Sequence, residues 1–228
     1  METTIWYVFG ALGMFLGTAY AGWGLLTSHE NYWRYYLVLT LVTGIATIAY
    51  VAMALGVGRV HTYGGILYLP RYIDWMLTTP LLVLYLVMLA KPPRRTYYVL
   101  VALEVVVIGA GIVAALVRDP FRWISYLVGV AAYGYIVYSL LVVLPRQAAL
   151  ENHRPRAVFV KLRNLTLILW SIYPIVWLLG PFGLGLLVIE TEAIVVTYLD
   201  LLAKVGFVAI AVNGRDAIAT VTSTPLPD

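Results

Sequence analysis

The chain of 228 residues contains no cysteine and few charged residues, and each shortage excludes a class of protein. Disulfide bonds and thiolate metal sites are excluded, and we predict no metal site. Charged residues make up 11% of the chain, whereas a soluble domain carries about 25%. Hydrophobic residues make up 62%, and the mean hydropathy is +0.90. The composition therefore indicates an integral membrane protein, and we predict one domain over residues 1–228.

Seven apolar segments are long enough to cross a bilayer, because about 20 helical residues span its hydrocarbon core of roughly 30 Å. They predict an all-α bundle of seven membrane helices at residues 4–27, 32–57, 69–90, 95–117, 121–145, 155–180 and 189–214. The segment 58–69 is long enough for a short hairpin between the second and third helices. Because Glu2 is the only charge before His29, we predict a mature first helix rather than a cleaved signal peptide.

The lysines and arginines near the helix ends predict the orientation, since basic residues concentrate on the cytoplasmic side of a membrane. Ten fall on one side and three on the other, so the N-terminus and the hairpin are predicted to be extracellular. The net charge of +4 arises from these short loops and does not indicate nucleic-acid binding. The ten are Arg34, Lys91, Arg94, Arg95, Arg146, Arg154, Arg156, Lys161, Arg163 and Arg215, and the three are Arg59, Arg118 and Arg122.

Lys204 lies within the last apolar segment, four residues after Asp200, so the two side chains share one helix face. A charge at bilayer depth costs at least about 2.5–3.5 kcal/mol on insertion scales, so such a residue usually has a partner or a function. A desolvated lysine is also the residue that forms a Schiff base with an aldehyde. The pair therefore indicates a covalently held carbonyl chromophore.

Arg71, Asp74 and Thr78 follow an i, i+3, i+7 spacing and share one face of the third helix. Two interpretations of these intramembrane charges stay open. In the first, they form a structural ion-pair network that ties helices together. In the second, Asp74 and Asp200 are the counter-ions of a protonated Schiff base at Lys204. Arg71 then balances the second carboxylate, and Asp74 accepts the proton after light absorption.

Trp170, Tyr173 and Trp177 form an i, i+3, i+7 stripe on the sixth helix, with Pro174 between them. Ordinary packing in the core or at the membrane interface is one explanation of such a stripe. We favour a second explanation because Trp75 and the intramembrane lysine are also present. In this explanation the aromatic rings form flat walls around a rigid polyene. Pro174 removes a main-chain hydrogen bond and permits a kink, so the sixth helix is a candidate moving element.

Three segments on the third, sixth and seventh helices resemble the microbial (type 1) rhodopsins of haloarchaea, and within them the sensory rhodopsin II and middle rhodopsin groups. The segments are Arg71-Tyr-Ile-Asp-Trp-Met-Leu-Thr-Thr-Pro80, Trp170-Ser-Ile-Tyr-Pro-Ile-Val-Trp177 and Tyr198-Leu-Asp-Leu-Leu-Ala-Lys-Val-Gly-Phe207. The resemblance covers essentially the whole chain. It implies a multi-pass protein of the plasma membrane that binds all-trans retinal and is not an enzyme.

The resemblance also implies a role for each residue at a matching position. Lys204 matches the lysine that holds all-trans retinal as a Schiff base, Asp74 the primary counter-ion and proton acceptor, and Asp200 the second counter-ion. Arg71 matches the arginine on the extracellular side of the counter-ions. The matching pocket residues are Trp75, Thr78, Val107, Gly129, Trp170, Tyr173, Trp177 and Ala203. The implied reaction is isomerisation of the retinal to its 13-cis form by light, proton transfer to Asp74 and thermal return.

Two light-dependent functions remain, a photosensor and a slow light-driven outward proton pump, and a third function, a non-photoactive membrane scaffold, would require Lys204 and Asp74 to be purely structural. A pump of this family needs a carboxylic donor eleven residues after the counter-ion, where this chain has Tyr85. A tyrosine hydroxyl, with its ordinary pKa near 10, is a poor donor at neutral pH. On the release side Glu192 matches one carboxylate of the pump, and Glu190 is a candidate for the other. Solvated helix ends explain both glutamates equally well. The missing donor favours the photosensor.

Tyr198 matches the tyrosine through which sensory rhodopsin II contacts its two-helix transducer, although a lipid-facing tyrosine explains it equally well. Ala203 and Val188 stand where that sensor has threonines, so the pattern is intermediate between sensor and pump. Glu104 matches a carboxylate position near the ring end of retinal, and we favour a structural role for it. We predict a phototaxis photoreceptor. Its predicted partners are retinal, the lipid bilayer and a membrane transducer, with a homo-oligomer as a further candidate assembly.

Overall fold

Seven helices long and apolar enough to cross a membrane make up the computed structural model, which describes residues 2–27, 32–147 and 153–214. The predicted seven-helix bundle is therefore confirmed, whereas the side on which the N-terminus lies stays a prediction. Arg215 falls outside the described residues. The first four helices are α1 (Glu2–Thr27), α2 (Trp33–Ala54), α3 (Leu69–Ala90) and α4 (Arg94–Leu116).

Each of the other three helices contains an irregular turn. Helix α5 runs over Phe121–Tyr138, passes through the π-helical turn Ser139–Val143 and ends with Leu144–Gln147. Helix α6 consists of His153–Trp170 and Ile172–Leu179. Helix α7 consists of Ile189–Leu201, the π-helical turn Leu202–Gly206 and Phe207–Asn213. The π-helical turn of α7 contains Lys204, and such turns are frequent at functional sites.

The interruption of α6 falls at Ser171, three residues before Pro174. Proline has no N–H to donate to the carbonyl of Trp170, four residues earlier, so the regular bonding pattern fails at this turn. The predicted irregularity of the sixth helix is present. Tyr126 of α5 reaches this region and donates its hydroxyl to the carbonyl oxygen of Pro174 at 3.1 Å.

An antiparallel hairpin joins α2 to α3, as the length of segment 58–69 predicts. Strand β1 (Arg59–Thr62) pairs with β2 (Gly65–Tyr68). The second helix ends at Ala54 rather than at residue 57, because the chain turns at Gly56 with a φ of +74°. The guanidinium of Arg118, in the loop before α5, lies 3.8 Å from the Tyr63 ring centroid at the hairpin tip.

Most of the bundle core is apolar, but one band of it carries charge. Arg71 and Asp74 of α3 and Asp200 and Lys204 of α7 are all buried. Glu104 of α4 is the fifth buried charged residue among the described ones. Helices α3 and α7 therefore place the predicted charged residues inside the bundle, and the site is built between them.

Candidate functional site

The Lys204 side chain lies between two carboxylates in the middle of the bundle. Its Nζ forms an ion pair with Oδ2 of Asp74 and lies 4.0 Å from Oδ1 of Asp200. All three side chains are 3% exposed or less. Removing one partner of a buried ion pair leaves an uncompensated charge, so these three residues depend on one another. The i, i+4 spacing correctly predicted the proximity of Asp200 and Lys204.

Three aromatic side chains hold Asp200 in place. The Tyr50 hydroxyl donates to its Oδ2 at 2.7 Å, and the Tyr173 hydroxyl donates to Oδ1 at 2.7 Å. The indole N–H of Trp75 donates to the same Oδ1 at 3.0 Å. Because the donors come from α2, α3 and α6, the position of Asp200 is fixed from three directions.

Asp74 has fewer hydrogen-bond partners than Asp200. Its Oδ1 has none among the residues that the structure describes, whereas its Oδ2 faces Lys204. The Thr78 hydroxyl donates to the main-chain carbonyl of Asp74 at 2.8 Å. Thr78 therefore orders the backbone beside this carboxylate. Of the two carboxylates, Asp74 is therefore the one held by fewer hydrogen bonds.

Arg71 pairs with Glu192 rather than with either of these carboxylates. Its Nη1 lies 3.3 Å from Oε1 of Glu192, and its Nη2 donates to the Tyr7 hydroxyl at 3.4 Å. The guanidinium also lies 5.8 Å and 5.9 Å from the ring centroids of Tyr7 and Tyr68. Sequence spacing suggested that Arg71 balances the second carboxylate. The structure differs because donors from three helices already occupy both oxygens of Asp200.

A cavity lies between α3, α4, α5, α6 and α7, and Lys204 is among the residues that line it. Flat rings of Trp75, Trp170, Tyr173 and Trp177 line it. The lining also contains the predicted residues Val107, Gly129 and Ala203, together with Arg71, Glu192 and Asp200. Thr79 lines the cavity where the resemblance implied Thr78. The walls are mostly apolar, and the buried amine of Lys204 is one of the charged groups that line them.

Four further residues complete the predicted set. Tyr85 is fully buried in the core, its ring edge-on to Tyr35 and Phe207. Tyr198 is 47% exposed on α7 and its ring lies beside Trp6 and Phe9 of α1. Glu192 lines the cavity beside Arg71, whereas Glu190 does not line it. The two glutamates are therefore placed in different surroundings.

Tyr50 and Tyr7 are site residues that sequence reasoning missed. Both are fully buried and each holds a charged partner, Asp200 for Tyr50 and Arg71 for Tyr7. A buried phenol needs a hydrogen-bond partner, so a tyrosine within an apolar membrane helix is a usable signal. That signal does not name the partner, which in the case of Tyr50 lies 150 positions later in the chain.

Comparisons with a protein-family model, with known proteins and with solved structures all find rhodopsins. Residues 1–218 match the family described as bacteriorhodopsin-like protein. Sensory rhodopsin-2 of Halobacterium salinarum is 47% identical over 237 aligned positions, covering all of this chain and 99% of that one. Sensory rhodopsin-2 of Natronomonas pharaonis is 41% identical and covers 96% of this chain and 90% of that one.

Among solved structures, the thermophilic rhodopsin from Rubrobacter xylanophilus superposes with a TM-score of 0.93 at 38% identity. The superposition covers 98% of this chain and all of that one. The family match and these identities extend over nearly the full length, and they agree with the buried lysine, its two carboxylates and the aromatic cavity. The chain therefore belongs to the bacteriorhodopsin-like family.

Proposed function

We propose that the protein is a light-sensing retinal photoreceptor of the plasma membrane, with Lys204 as the attachment point of the chromophore. One observation carries the proposal: a buried lysine amine lies between two buried carboxylates and lines a cavity that is also lined by four aromatic rings. Relatives that cover nearly the whole chain at 41–47% identity are named sensory rhodopsin-2, and this agrees with a photosensory role.

The residues of the cavity fit retinal, an apolar, rod-like aldehyde. The amine of Lys204 provides the nucleophile for a Schiff-base link, and Trp75, Trp170, Tyr173 and Trp177 provide walls for a flat polyene. When bound as the all-trans isomer, retinal supplies absorption of visible light and isomerisation to the 13-cis form. These rings restrict the chromophore to a narrow slot and exclude water from the lysine.

In this proposal the two carboxylates have different tasks. Asp200, held by Tyr50, Trp75 and Tyr173, is the fixed counter-charge. Asp74 pairs with Lys204 through Oδ2 and accepts the proton that leaves Nζ after illumination. Thermal return of that proton to Nζ completes the cycle. Proton, donor and acceptor balance within the Asp74–Lys204 pair, so no external base is needed.

Tyr85 supports a sensor over a pump. It occupies the position eleven residues after Asp74 where the pumps of the family carry a carboxylic donor, and it is fully buried beside Tyr35 and Phe207. Its phenol is a poor proton source at neutral pH. Return of the proton to Lys204 is then slow, which prolongs the illuminated state and suits signalling better than rapid turnover.

A membrane transducer is the proposed recipient of the signal. Tyr198 supports this proposal, since about half of its side chain is exposed on α7 beside Trp6 and Phe9 of α1. A two-helix partner docking along α7 would cover an aromatic surface that already extends onto α1. Tyr198→Ala should weaken co-purification of the transducer without changing the absorption band.

The first test is addition of all-trans retinal to the purified apoprotein. A visible absorption band should form, and Lys204→Ala should abolish it while the protein remains folded by circular dichroism. Absence of a band from the unmodified, folded protein would contradict the retinal proposal. A band that persists in Lys204→Ala would contradict the assignment of the attachment point.

The second test separates sensor from pump. Light-driven pH change is measured in cells that contain the pigment, with and without a protonophore. A photocycling pigment without net proton transport supports the sensor. Sustained acidification of the medium that the protonophore abolishes would show that Tyr85 does not prevent turnover, and the protein would then be a slow outward pump.

A further inference from the structure

Tyr133 of α5 is a tyrosine that the proposed photocycle does not use, and it contacts α6 where that helix is interrupted. Its hydroxyl lies 2.9 Å from Oγ of Ser171 and 3.3 Å from the carbonyl oxygen of Leu167. Ser171 separates the two α-helical parts of α6, which are His153–Trp170 and Ile172–Leu179. A side chain of α5 is therefore hydrogen-bonded to the turn at which the regular pattern of α6 stops.

The hydrogen bonds at this turn form a chain that leads from α5 to the backbone of α6. The Ser171 hydroxyl donates its proton to the Leu167 carbonyl at 2.7 Å. Oγ of Ser171 keeps lone pairs that accept the proton of Tyr133, since the Leu167 carbonyl is farther from the Tyr133 hydroxyl. A serine that bonds back to the carbonyl four residues earlier often bends its helix. The chain therefore fastens Tyr133 to a turn that the serine itself helps to bend.

The residues on either side of this turn form a large part of the cavity wall. Trp170 directly precedes Ser171, Tyr173 and Trp177 follow it, and all three rings line the cavity. The Tyr126 ring of α5 stacks on that of Trp177, with their centroids 4.9 Å apart and their planes inclined by 15°. The position of Trp170 relative to the other two rings depends on the angle between the two parts of α6, and α5 holds both parts.

The bond between Tyr133 and Ser171 lies at membrane depth. Both residues are within membrane-spanning segments, and Ser171 is on the exposed surface of the bundle, which faces lipid. In hydrocarbon no water competes for a hydroxyl group, so its partners must come from the protein. Movement of the turn away from α5 would leave the Tyr133 hydroxyl without these partners, and the bond therefore opposes such a movement.

We propose that Tyr133 and Ser171 are positioning residues of the photocycle, which stabilise the dark arrangement of the α6 wall over the arrangement that follows illumination. The inference rests on the proposed retinal-binding function and adds to it the residues that restore the wall. Walls that fit one shape of a chromophore must yield when that shape changes, and α6 yields at the turn of Ser171. The bond is made in the dark and lost after illumination, so its re-formation favours thermal return.

The first test measures the lifetime of the illuminated state in retinal-loaded protein by flash spectroscopy. Tyr133→Phe removes the hydroxyl and keeps the ring. It should lengthen this lifetime about threefold, the factor that corresponds to an average side-chain hydrogen bond between membrane helices. Ser171→Ala should lengthen it as well, whereas Ser171→Thr keeps a hydroxyl and should retain the parental lifetime.

Tyr135→Phe is the matched control for this measurement. Tyr135 lies on the same helix as Tyr133 but is 49% exposed, so its loss of a hydroxyl should leave the lifetime unchanged. An unchanged lifetime in Tyr133→Phe would overturn the inference. So would an equal lengthening in Tyr135→Phe, because the effect would then not depend on the contact with Ser171.

The second test needs no chromophore and measures unfolding of the apoprotein by denaturant in detergent. Tyr133→Phe, Ser171→Ala and the double variant are compared. Because both changes break one bond, the double variant should lose less stability than the sum of the two single losses. Strictly additive losses would overturn the contact on which the inference depends.

The two tests together distinguish the possible failures. Coupled losses of stability with an unchanged lifetime would mean that the bond persists through the cycle and is purely structural, which overturns the inference alone. A folded parent protein that forms no visible band with all-trans retinal would contradict the proposed function, and the inference with it.

Discussion

Tyr50 donates its hydroxyl proton to Oδ2 of Asp200 over 2.7 Å, and the Tyr50 side chain is completely buried. This bond joins α2 to α7 at the level of Lys204. It is also the contact that distinguishes Asp200 from Asp74, since Asp74 has no comparable donor on its Oδ1 among the described residues. The bond holds Asp200 in place, and this difference supports the proposal that Asp74 is the carboxylate that exchanges a proton.

Tyr50→Phe removes this donor without changing the shape of the ring. A hydrogen bond to a charged group contributes about 1.5–3 kcal/mol to stability. Side-chain hydrogen bonds between membrane helices contribute less, on average about 0.6 kcal/mol. We expect the free energy of unfolding to fall by roughly 1 kcal/mol, measured by denaturant titration in detergent. Tyr135→Phe, at an exposed tyrosine of α5, should leave it unchanged. An equal loss in both variants would contradict the role of the Asp200 contact.

Asp74→Asn removes the negative charge that localises positive charge at Nζ of Lys204. We expect the absorption band of the retinal-loaded protein to move to longer wavelength. Light-driven loss of the Nζ proton should slow by about 10²-fold or more, because a positioned acceptor is missing. Flash spectroscopy measures both effects. Asp119→Asn changes an exposed carboxylate that pairs with Arg122 at 3.5 Å, and should reproduce the unmodified protein. An unchanged band in Asp74→Asn would show that the counter-ion is assigned wrongly.

Helical spacing predicted the members of the site better than it predicted their pairing. The i, i+4 relation of Asp200 and Lys204 follows from one helix alone and was correct. The pairing of Arg71 with Glu192 depends on how α3 and α7 are rotated against each other, and sequence periodicity does not contain that rotation. For the same reason, the sequence did not reveal the contact of Tyr50, because its partner Asp200 is on another helix.

The fold was easier to predict than the site because bilayer thickness fixes helix length. The seven apolar segments correctly predicted the seven helices, and the predictions differ from the structure only in where helices begin and end. Helix α2, for example, ends at Ala54 instead of residue 57, because the chain turns at Gly56. The two π-helical turns were not predicted. The turn in α5 is followed by Pro145, which has no N–H to donate to the Leu141 carbonyl, and so a signal for it was present in the sequence. The turn in α7 contains Lys204 and no proline.

Tyr85 and Tyr35 offer a matched pair for testing buried hydroxyl groups. The Tyr85 hydroxyl has no hydrogen-bond partner among the described residues, whereas the Tyr35 hydroxyl donates to the Met88 carbonyl at 3.0 Å. Tyr85→Phe should therefore leave the free energy of unfolding unchanged or raise it, because an unpaired hydroxyl is no longer buried. Tyr35→Phe should lower it by about 1 kcal/mol. The opposite order would show that Tyr85 is bonded through water.

Gly10 of α1 allows the close contact that holds the Tyr50 ring against Asp200. A Cβ atom at position 10 would overlap atoms Cε1 and Cδ1 of Tyr50, and it would lie 3.1 Å from Cγ2 of Thr197. Gly10→Ala should therefore displace the ring and weaken its bond to Asp200. The retinal-loaded protein should bleach faster on heating, with a loss of roughly 1–3 kcal/mol that is typical of overpacking.

Gly22 on the same helix supplies the control for Gly10→Ala. In the described part of the chain, no atom outside the adjacent residues and the backbone of its own helix lies within 4 Å of a Cβ added at that position. Gly22→Ala should leave stability unchanged or raise it by up to about 1 kcal/mol, the helix propensity gained. If displacement of Tyr50 is the cause of the Gly10→Ala effect, the double variant Gly10→Ala with Tyr50→Phe should lose less than the sum of the two single losses, because both changes act on one contact. Strict additivity would mean that Gly10 matters for helix packing and that Tyr50 is not displaced.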